Sequence, residues 1–441
     1  MNILNTIKTY RGLLTTASFL TLSTGSFLAI NQKDKVLCEE NKVPTPLNNQ
    51  QQQYFNASRS KLDPITRSDI AKEIISWKEK CTVPGISVCV MSKNQTVFRE
   101  AYGYSDIENG VVMNTSSKLR IASISKTLTS VAIGLLMEDN LLKLDDHINK
   151  FVPNFPKHPN FPEVEITVGH LASHLSGIRH YLKGEKSEFY SVKQYKSAKE
   201  FNPFNHSDPL EIFISNPWIE KISTTKPGAL FHYSTFGYTL LGAIIENISG
   251  TDYKSFMRTR VFNRCGMYNI FADEHNVIIP NRSKQYTLRP LDKTNIDRME
   301  LMNTDFTNSS YKWAGGGWIS TAEDICRFGS TLISGKLLKP ETINTLFTPL
   351  KTTEGVETNY GFGWMNLKNN LIDNDNDNPN ILDQDNKIIF HTGHAMGGAT
   401  VLVLLPKEQI VVCVLANQEK IVGIQDLGFK IARLVSKSEK N

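Results

Sequence analysis

Residues 120–127, Arg-Ile-Ala-Ser-Ile-Ser-Lys-Thr, constrain the fold of this chain more than any other stretch. The apolar positions that follow repeat about every 3.6 residues and predict an amphipathic helix beginning near Ser123: Leu128, Val131, Ala132, Leu135 and Leu136. Backbone N–H groups at a helix N-terminus favour developing negative charge. Lys126, three residues on, lies on the same helix face as Ser123. An amine beside a hydroxyl can activate it as a nucleophile if burial or a nearby cation lowers the lysine pKa.

The Ser-x-x-Lys pattern alone is a weak signal, because it arises by chance in most chains of this length, and Ser123 could be a simple N-cap. A second motif, Tyr233-Ser234-Thr235, precedes the helical run 240–248. A tyrosine at such a junction can be a core residue, but a hydroxyl that reaches Ser123 can carry a proton to and from the reacting atoms. The pKa of Tyr233 would then have to fall through a nearby cation, for which Lys126 is the candidate.

A third motif, His391-Thr392-Gly393-His394, lies at the head of a group of predicted C-terminal strands. A Thr-Gly pair at a strand edge can offer a hydroxyl and free N–H groups to a ligand beside the nucleophile helix. His174, by contrast, closes the short apolar segment 171–177. A lone histidine in that position is more often a hydrogen-bonding structural residue than a catalyst, and we expect His174 to be structural.

Composition excludes several classes of function. The net charge of +5 is small for 441 residues, and no lysine or arginine cluster indicates nucleic-acid binding. The six cysteines are scattered without Cys-x-x-Cys or zinc spacing, so neither a disulfide framework nor a metal site is predicted. The glycines at 315–317 lack the Lys-Ser/Thr of a nucleotide-phosphate loop. The Asn/Asp-rich stretch 369–387 lacks the central glycine and closing glutamate of a calcium loop, and a solvated insertion is expected.

Residues 1–40 have the pattern of a targeting segment. Apolar residues repeat at helical spacing, Lys8 and Arg11 are basic, and no acidic residue precedes Asp34, as in a mitochondrial presequence. The moderately apolar stretch 13–30 would act as a sorting segment in the inner membrane and be cut. A secretory signal is the competing interpretation. Residues 41–62 form a polar linker, so the mature protein is expected to start between residues 31 and 60.

The remaining pattern predicts an α/β sandwich. A helix follows Arg67, with Ser68 or Asp69 as its cap, and strands at 86–91 and 96–102 form a hairpin. Strands at 388–392, 400–405 and 410–416 precede a helix at 424–435. We expect one antiparallel sheet from both chain ends, flanked by helices, with an inserted all-α domain. Residues 63–441 form this domain, with its α/β part at 63–125 and 315–441, its helical part at 126–314, and a surface insertion at 182–222.

The three motifs occur in the order and at roughly the spacing of the serine beta-lactamase and penicillin-binding superfamily, and Tyr233 points to its class C and esterase-like branch (peptidase S12-like). The chain resembles most closely the mitochondrial, serine beta-lactamase-like members found in animals. Four runs carry that resemblance, which covers about residues 65–435: 120–127, 173–181, 233–241 and 308–317.

The resemblance implies an α/β sandwich and an all-α domain with the active site between them. It also implies a peptidase-type acyl-enzyme, an intermembrane-space location, filament assembly and a link to lipid metabolism. At most peripheral contact with the inner membrane is expected. Ser123 would be the nucleophile, and Lys126 and Tyr233 would share the acid and base roles without any cofactor. Backbone N–H groups of Ser123 and His394 would form the oxyanion hole.

Two positions depart from the superfamily pattern. Thr235 stands where asparagine is usual, and His391 stands where lysine supplies charge toward a substrate carboxylate. Histidine is largely neutral at pH 7 or above, so a peptide or acyl substrate is expected rather than an antibiotic. Thr235, His391, Thr392, Gly393 and His394 are the predicted substrate-binding residues. An esterase or transacylase, or a filament protein with little activity, remains an alternative.

Overall fold

The computed structural model describes residues 62–153, 155–180, 217–218, 225–292, 295–307, 309, 312–368 and 387–440. The predicted presequence, the linker up to residue 61 and nearly all of the segments 182–222 and 369–387 lie outside these residues. The chain divides into two compact units. One comprises residues 42–289 and 300–441 and holds the main sheet and the site described below; the described part of the other is residues 290–292 and 295–299.

A seven-stranded antiparallel sheet forms the centre of the larger unit. Its strands are β1 (Gly85–Ser92), β2 (Gln95–Asp106), β3 (Val111–Val112), β9 (Met365–Lys368), β10 (Lys387–Ala395), β11 (Gly398–Leu405) and β12 (Ile410–Ala416). They lie side by side in the order β3-β2-β1-β12-β11-β10-β9. Strands from both chain ends pair directly, with Ile86 opposite Ala416. The predicted fold class, including the early hairpin and the late strands, is confirmed.

Helices cover both faces of the sheet, and β1 is therefore buried at every position. Val88 and Val90 join one core with helices α1 (Pro64–Lys80) and α10 (Ile424–Lys440). Cys89 and Met91, which point the opposite way, join a second core with α2 (Ser125–Glu138) and α8 (Ala322–Ile333). This alternation follows from the two-residue period of a strand. It explains why the strand sequence is apolar throughout.

Two helix predictions need correction. Helix α1 begins at Pro64 rather than after Arg67, because the Asp63 side chain accepts from Thr66 N–H at 2.9 Å and proline suits the first helical position. Helix α2 is buried on all sides from Ser125 to Leu136 rather than amphipathic, because other helices pack around it. The remaining α-helices among the described residues are α3 (Val168–Ala172), α4 (Thr235–Ser249), α5 (Tyr253–Phe256), α6 (Asn263–Cys265), α7 (Trp313–Gly316) and α9 (Pro340–Phe347).

The predicted helical part, residues 126–314, also contains strands. They are β5 (Phe271–Ala272), β6 (Tyr286–Asp292) and β7 (Asn295–Asn303). Strands β6 and β7 pair with each other, while β5 pairs with β8 (Trp318–Ser320), which also pairs with β4 (Leu119–Arg120). Residues 121–124, which carry Ser123 and are called the nucleophile segment below, directly follow β4. This small sheet therefore fixes where that segment begins.

The five cysteines in the described ranges are free thiols: Cys81, Cys89, Cys265, Cys326 and Cys413. Within the same ranges, none of the helices is long and apolar enough to cross a membrane.

Candidate active site

Ser123 lies in a single 3₁₀ turn, Ala122–Ile124, that joins β4 to α2. Ala122 has a φ of 46°, in the left-handed region that costs a non-glycine residue about 1–3 kcal/mol. The surroundings hold this conformation: Ile121 N–H donates to Trp318 O at 3.0 Å, and the Thr400 hydroxyl donates to Ile121 O at 3.1 Å. The result is a half-buried serine on a sharp bend between two rigid elements.

Lys126 is completely buried and lies directly against Ser123. Its Nζ is 3.1 Å from Ser123 Oγ, 3.2 Å from Thr235 Oγ1 and 2.6 Å from Gly315 O. Burial, together with the nearby charge of Lys312, holds the pKa of Lys126 well below its usual value. A neutral amine has two N–H groups, which suit Gly315 O and Thr235, and one lone pair, which suits the hydroxyl proton of Ser123. This geometry is that of a general base.

Tyr233 lies in the loop before α4, and its side chain is hydrogen-bonded to Ser123. Burial raises the pKa of Tyr233, although hydrogen bonds with Ser123 and Thr235 act in the opposite direction. Lys126 Nζ lies 4.8 Å from the centre of the Tyr233 ring, over its face. The lowered tyrosine pKa that the sequence analysis required for a base is therefore not found. Tyr233 is a neutral phenol that can donate a proton.

Strand β10 passes close to the nucleophile segment at Gly393. A Cβ at this position would lie 2.6 Å from Ile121 O and 3.0 Å from Ala122 Cβ, so only glycine permits the approach. Thr392 is half-buried beside it, and the His394 side chain is exposed and hydrogen-bonded to Ile421 O at 3.3 Å. The third predicted motif is thus brought to Ser123 by the sheet.

His391 is buried and neutral. Its Nδ1–H donates to Thr392 O at 2.5 Å, and its Nε2 accepts from the Tyr360 hydroxyl at 2.9 Å. Burial is the main reason that the pKa of His391 is lowered to about 3, and the charge of Lys126 acts in the same direction. The expectation that this histidine carries no charge at neutral pH agrees with these contacts.

Three contributors are not assigned by the sequence analysis. Gly315 supplies the carbonyl that orients Lys126, the Tyr360 hydroxyl donates to His391 Nε2, and Lys312 lies close enough to Lys126 to lower its pKa. The glycine run at 315–317 is a usable signal in the sequence, because glycines permit close backbone approach. Tyr360 gives no such signal, because its contact depends entirely on the tertiary fold.

His174 occupies a structural position at the edge of this site. Its ring centre lies 4.3 Å from that of Tyr233, and its Nδ1 accepts from Ser234 N–H at 3.2 Å. Among the described residues, no group of three or more histidines, cysteines or acids could hold a metal ion.

A family model described as Beta-lactamase matches residues 70–433, which is most of the chain. The chain belongs to the beta-lactamase family. Serine beta-lactamase-like protein LACTB, mitochondrial, of Homo sapiens is 31% identical over 80% of this chain and 77% of its own length. The resemblance inferred from the motifs is confirmed, and so is the enzyme class, because this is a family of serine hydrolases.

Solved structures of other proteins share the fold. The octameric penicillin-binding protein homologue from Pyrococcus abyssi superposes with a TM-score of 0.65 at 25% identity, covering 85% of this chain and 78% of that chain. The D-amino acid amidase from Ochrobactrum anthropi gives a TM-score of 0.63 at 19% identity, covering 85% of this chain and 98% of its own.

Proposed function

We propose that this beta-lactamase-family protein hydrolyses amide bonds of peptides through an acyl-enzyme on Ser123. The observation that carries the proposal is the contact between the buried Lys126 amine and Ser123 Oγ at 3.1 Å. Because burial and Lys312 lower the lysine pKa, the amine can accept the serine proton near neutral pH. Gly315 O and Thr235 hold the amine so that its lone pair faces Ser123.

The first half-reaction forms the bond between Ser123 Oγ and the substrate carbonyl carbon while Lys126 takes the hydroxyl proton. The developing oxyanion is bound by the backbone N–H groups of Ser123 and His394. The carbon–nitrogen bond then breaks, the leaving amine takes a proton from the Tyr233 phenol, and the proton held by Lys126 passes to Tyr233 through the Thr235 hydroxyl, which is hydrogen-bonded to both. In the second half-reaction, water attacks the acyl carbon while Lys126 takes its proton, the bond from that carbon to Ser123 Oγ breaks, and Ser123 Oγ takes the proton from Lys126 as the acid leaves.

The charge of the site indicates which substrates fit. His391 is neutral where a lysine would face a substrate carboxylate, so the proposed substrate has no carboxylate beside the reacting carbonyl. That argues against beta-lactam hydrolysis. Two structural neighbours are described as a D-amino acid amidase and a D-stereospecific amidohydrolase, which supports an amide substrate. An esterase or transacylase would use the same acyl-enzyme with an oxygen leaving group.

Labelling with a fluorophosphonate probe tests the nucleophile. Ser123→Ala should abolish labelling, whereas Ser125→Ala should retain it, because Ser125 Oγ is buried and donates to Ala122 O at 2.6 Å. Ser125→Ala also removes a buried hydrogen bond from the same short segment, so labelling that it retains would show that the segment folds without that hydroxyl. Labelling of Ser123→Ala at the wild-type rate would exclude Ser123. Hydrolysis of esters but not of peptide amides would exclude the peptidase assignment.

We also propose a mitochondrial, intermembrane-space location and assembly into homo-oligomers or filaments. The mitochondrial names of relatives and the basic, acid-free start of the sequence support the location. An octameric structural neighbour supports assembly. A reporter fused to residues 1–60 should become protease-sensitive only after outer-membrane rupture, and secretion of the reporter would refute the location. Sedimentation of Ser123→Ala should show unchanged assembly.

A further inference from the structure

Two histidine side chains accept hydrogen bonds from consecutive backbone N–H groups at the start of α4. Ser234 N–H donates to His174 Nδ1 at 3.2 Å, and Thr235 N–H donates to His180 Nδ1 at 3.1 Å. The first N–H groups of a helix lack partners within it and are usually capped by one side-chain oxygen. Ser234 Oγ does this for Gly237 N–H at 3.1 Å. The two imidazoles therefore cap the residues immediately before and at the helix start.

These bonds fix the protonation of both rings. A Nδ1 that accepts a hydrogen bond carries no proton, so each ring is neutral with its proton on Nε2. The buried His174 Nε2 has no hydrogen-bond partner among the described residues. Its polar contact is therefore made through Nδ1 alone. Burial and the Lys126 charge lower the pKa of His180 to about 3, consistent with an acceptor role.

The capped segment carries two side chains that touch the reacting groups. Thr235 Oγ1 lies 3.2 Å from Lys126 Nζ, and the Tyr233 phenol is hydrogen-bonded to Ser123. The His174 ring also packs against the Tyr233 ring at 4.3 Å between centres. A shift of the Ser234 backbone would therefore move both the Tyr233 phenol, which is the proposed proton donor, and the Thr235 hydroxyl, which contacts the proposed base Lys126.

The loop that carries the histidines is itself anchored. His174 has a φ of 62°, and its carbonyl accepts from His232 N–H at 2.8 Å. Arg179 O accepts from Ser234 Oγ at 2.7 Å. Residues 174–180 thus contact the 232–235 segment through the side chains of His174 and His180 and through the backbone carbonyls of His174 and Arg179.

We propose that His174 and His180 are positioning residues of the hydrolase, which hold Tyr233 and Thr235 against Ser123 and Lys126 by accepting from the Ser234 and Thr235 amides. The inference rests on the proposed function. Neither histidine exchanges a proton with the substrate. A displacement of about 1 Å in such a group can lower a rate about a hundredfold.

The test compares His174→Asn with His174→Gly. Asparagine and glycine both tolerate a positive φ, but only asparagine offers an acceptor oxygen near the place of Nδ1. We expect His174→Gly to lower kcat about a hundredfold with KM changed less than about threefold, and His174→Asn to restore most of the loss. His180→Leu, which involves no positive φ, should behave like His174→Gly.

His158→Gly is the matched control. His158 is equally buried, and its Nδ1 accepts from Asn160 and Phe161 N–H at 3.3 and 3.2 Å. In the part of the chain that the structure describes, the hydrogen bonds of Lys126 go to Ser123, Thr235 and Gly315 rather than to this loop. His158→Gly should lose stability while keeping kcat. Equal losses of kcat in His158→Gly and His174→Gly, or no rescue by His174→Asn, would overturn the proposal.

Hydrogen exchange separates failure of this inference from failure of the proposed function. The amides of Ser234 and Thr235 should exchange faster in His174→Gly and His180→Leu but not in His174→Asn, whatever the enzyme's substrate. Faster exchange with unchanged kcat would overturn the positioning role alone. If the Ser123→Ala variant is still labelled by the fluorophosphonate probe at the wild-type rate, the proposed function is wrong. The exchange rates would still show whether His174 and His180 bind the Ser234 and Thr235 amides.

Discussion

Replacing Arg120 with methionine tests how much the buried charge network behind the nucleophile contributes to stability. Arg120 Nε lies 2.6 Å from Asp273 Oδ2, with the side chains only 7% and 4% exposed. The guanidinium also donates to Met396 O at 2.7 Å and to Thr307 O at 3.3 Å. The Arg120 side chain therefore links β4 by hydrogen bonds to the turn after β10 and to the segment before α7.

The expected loss follows from what remains in place. Removing one partner of a buried ion pair costs about 3–5 kcal/mol, because the other charge stays buried. Arg282 Nη1, at 4.0 Å from Asp273 Oδ1, offsets part of that cost. The two carbonyls that lose their donor add about 1 kcal/mol or more. We therefore expect Arg120→Met to lower the free energy of unfolding by about 3–5 kcal/mol.

Urea unfolding at equilibrium measures this loss, and Arg260→Met is the control. Arg260 lies at the same 2.6 Å from a carboxylate, that of Asp139, but both side chains are 38% exposed. An exposed pair contributes about 0–1 kcal/mol. Adding Asp273→Asn to Arg120→Met should recover part of the loss by removing the unpaired charge. Equal losses in the two single variants would refute the argument that burial decides the contribution.

Two further predictions concern the site itself. The stability difference between Lys126→Met and the wild type should depend on pH. As pH rises toward 10.5, the usual lysine pKa, the unfolded wild-type chain loses its proton and the wild type gains stability relative to the variant, by about 1.4 kcal/mol per unit of pKa depression. Gly393→Ala should abolish probe labelling, since its Cβ would clash with the Thr400 hydroxyl and lie 2.6 Å from Ile121 O, whereas Gly316→Ala, with 3.8 Å to its nearest neighbour, should be tolerated.

Unfolding curves between pH 7 and 10.5 check the first of these, and a stability difference that stays constant would show that Lys126 titrates normally. Labelling rates check the second. Undiminished labelling of Gly393→Ala would mean that β10 can move away from the nucleophile segment without consequence.

The parts of the fold that the sequence predicts correctly are those that local patterns specify. The prediction for strand β12 matches its observed bounds, because 410–416 is a continuous apolar run of strand length. Strand β7 escapes prediction because Asp297, Arg298 and Glu300 interrupt any apolar alternation there. The start of α1 is predicted too late, although the pair Asp63-Pro64 is a local capping signal that marks it.

The site is predictable only in part, for a related reason. The Ser123–Lys126 contact follows from the three-residue spacing in a helical turn. The contacts of Lys126 with Thr235 and Gly315 join positions more than a hundred residues apart, and nothing local specifies them. The tyrosine motif is recognisable in the sequence, whereas the direction of its pKa shift depends on burial, which the sequence does not show.

The raised pKa of Tyr233 supports a division of roles between Lys126 and Tyr233. Burial disfavours the charged form of any group, so it lowers the pKa of a cation and raises that of a phenol. In this site the same burial makes the amine available as a proton acceptor and keeps the phenol protonated. The neutral His391 follows the same rule. The proposed base, the proposed acid and His391 are then all uncharged before reaction. None of these three groups offers a full positive charge to a substrate anion, which supports the expectation of a neutral amide.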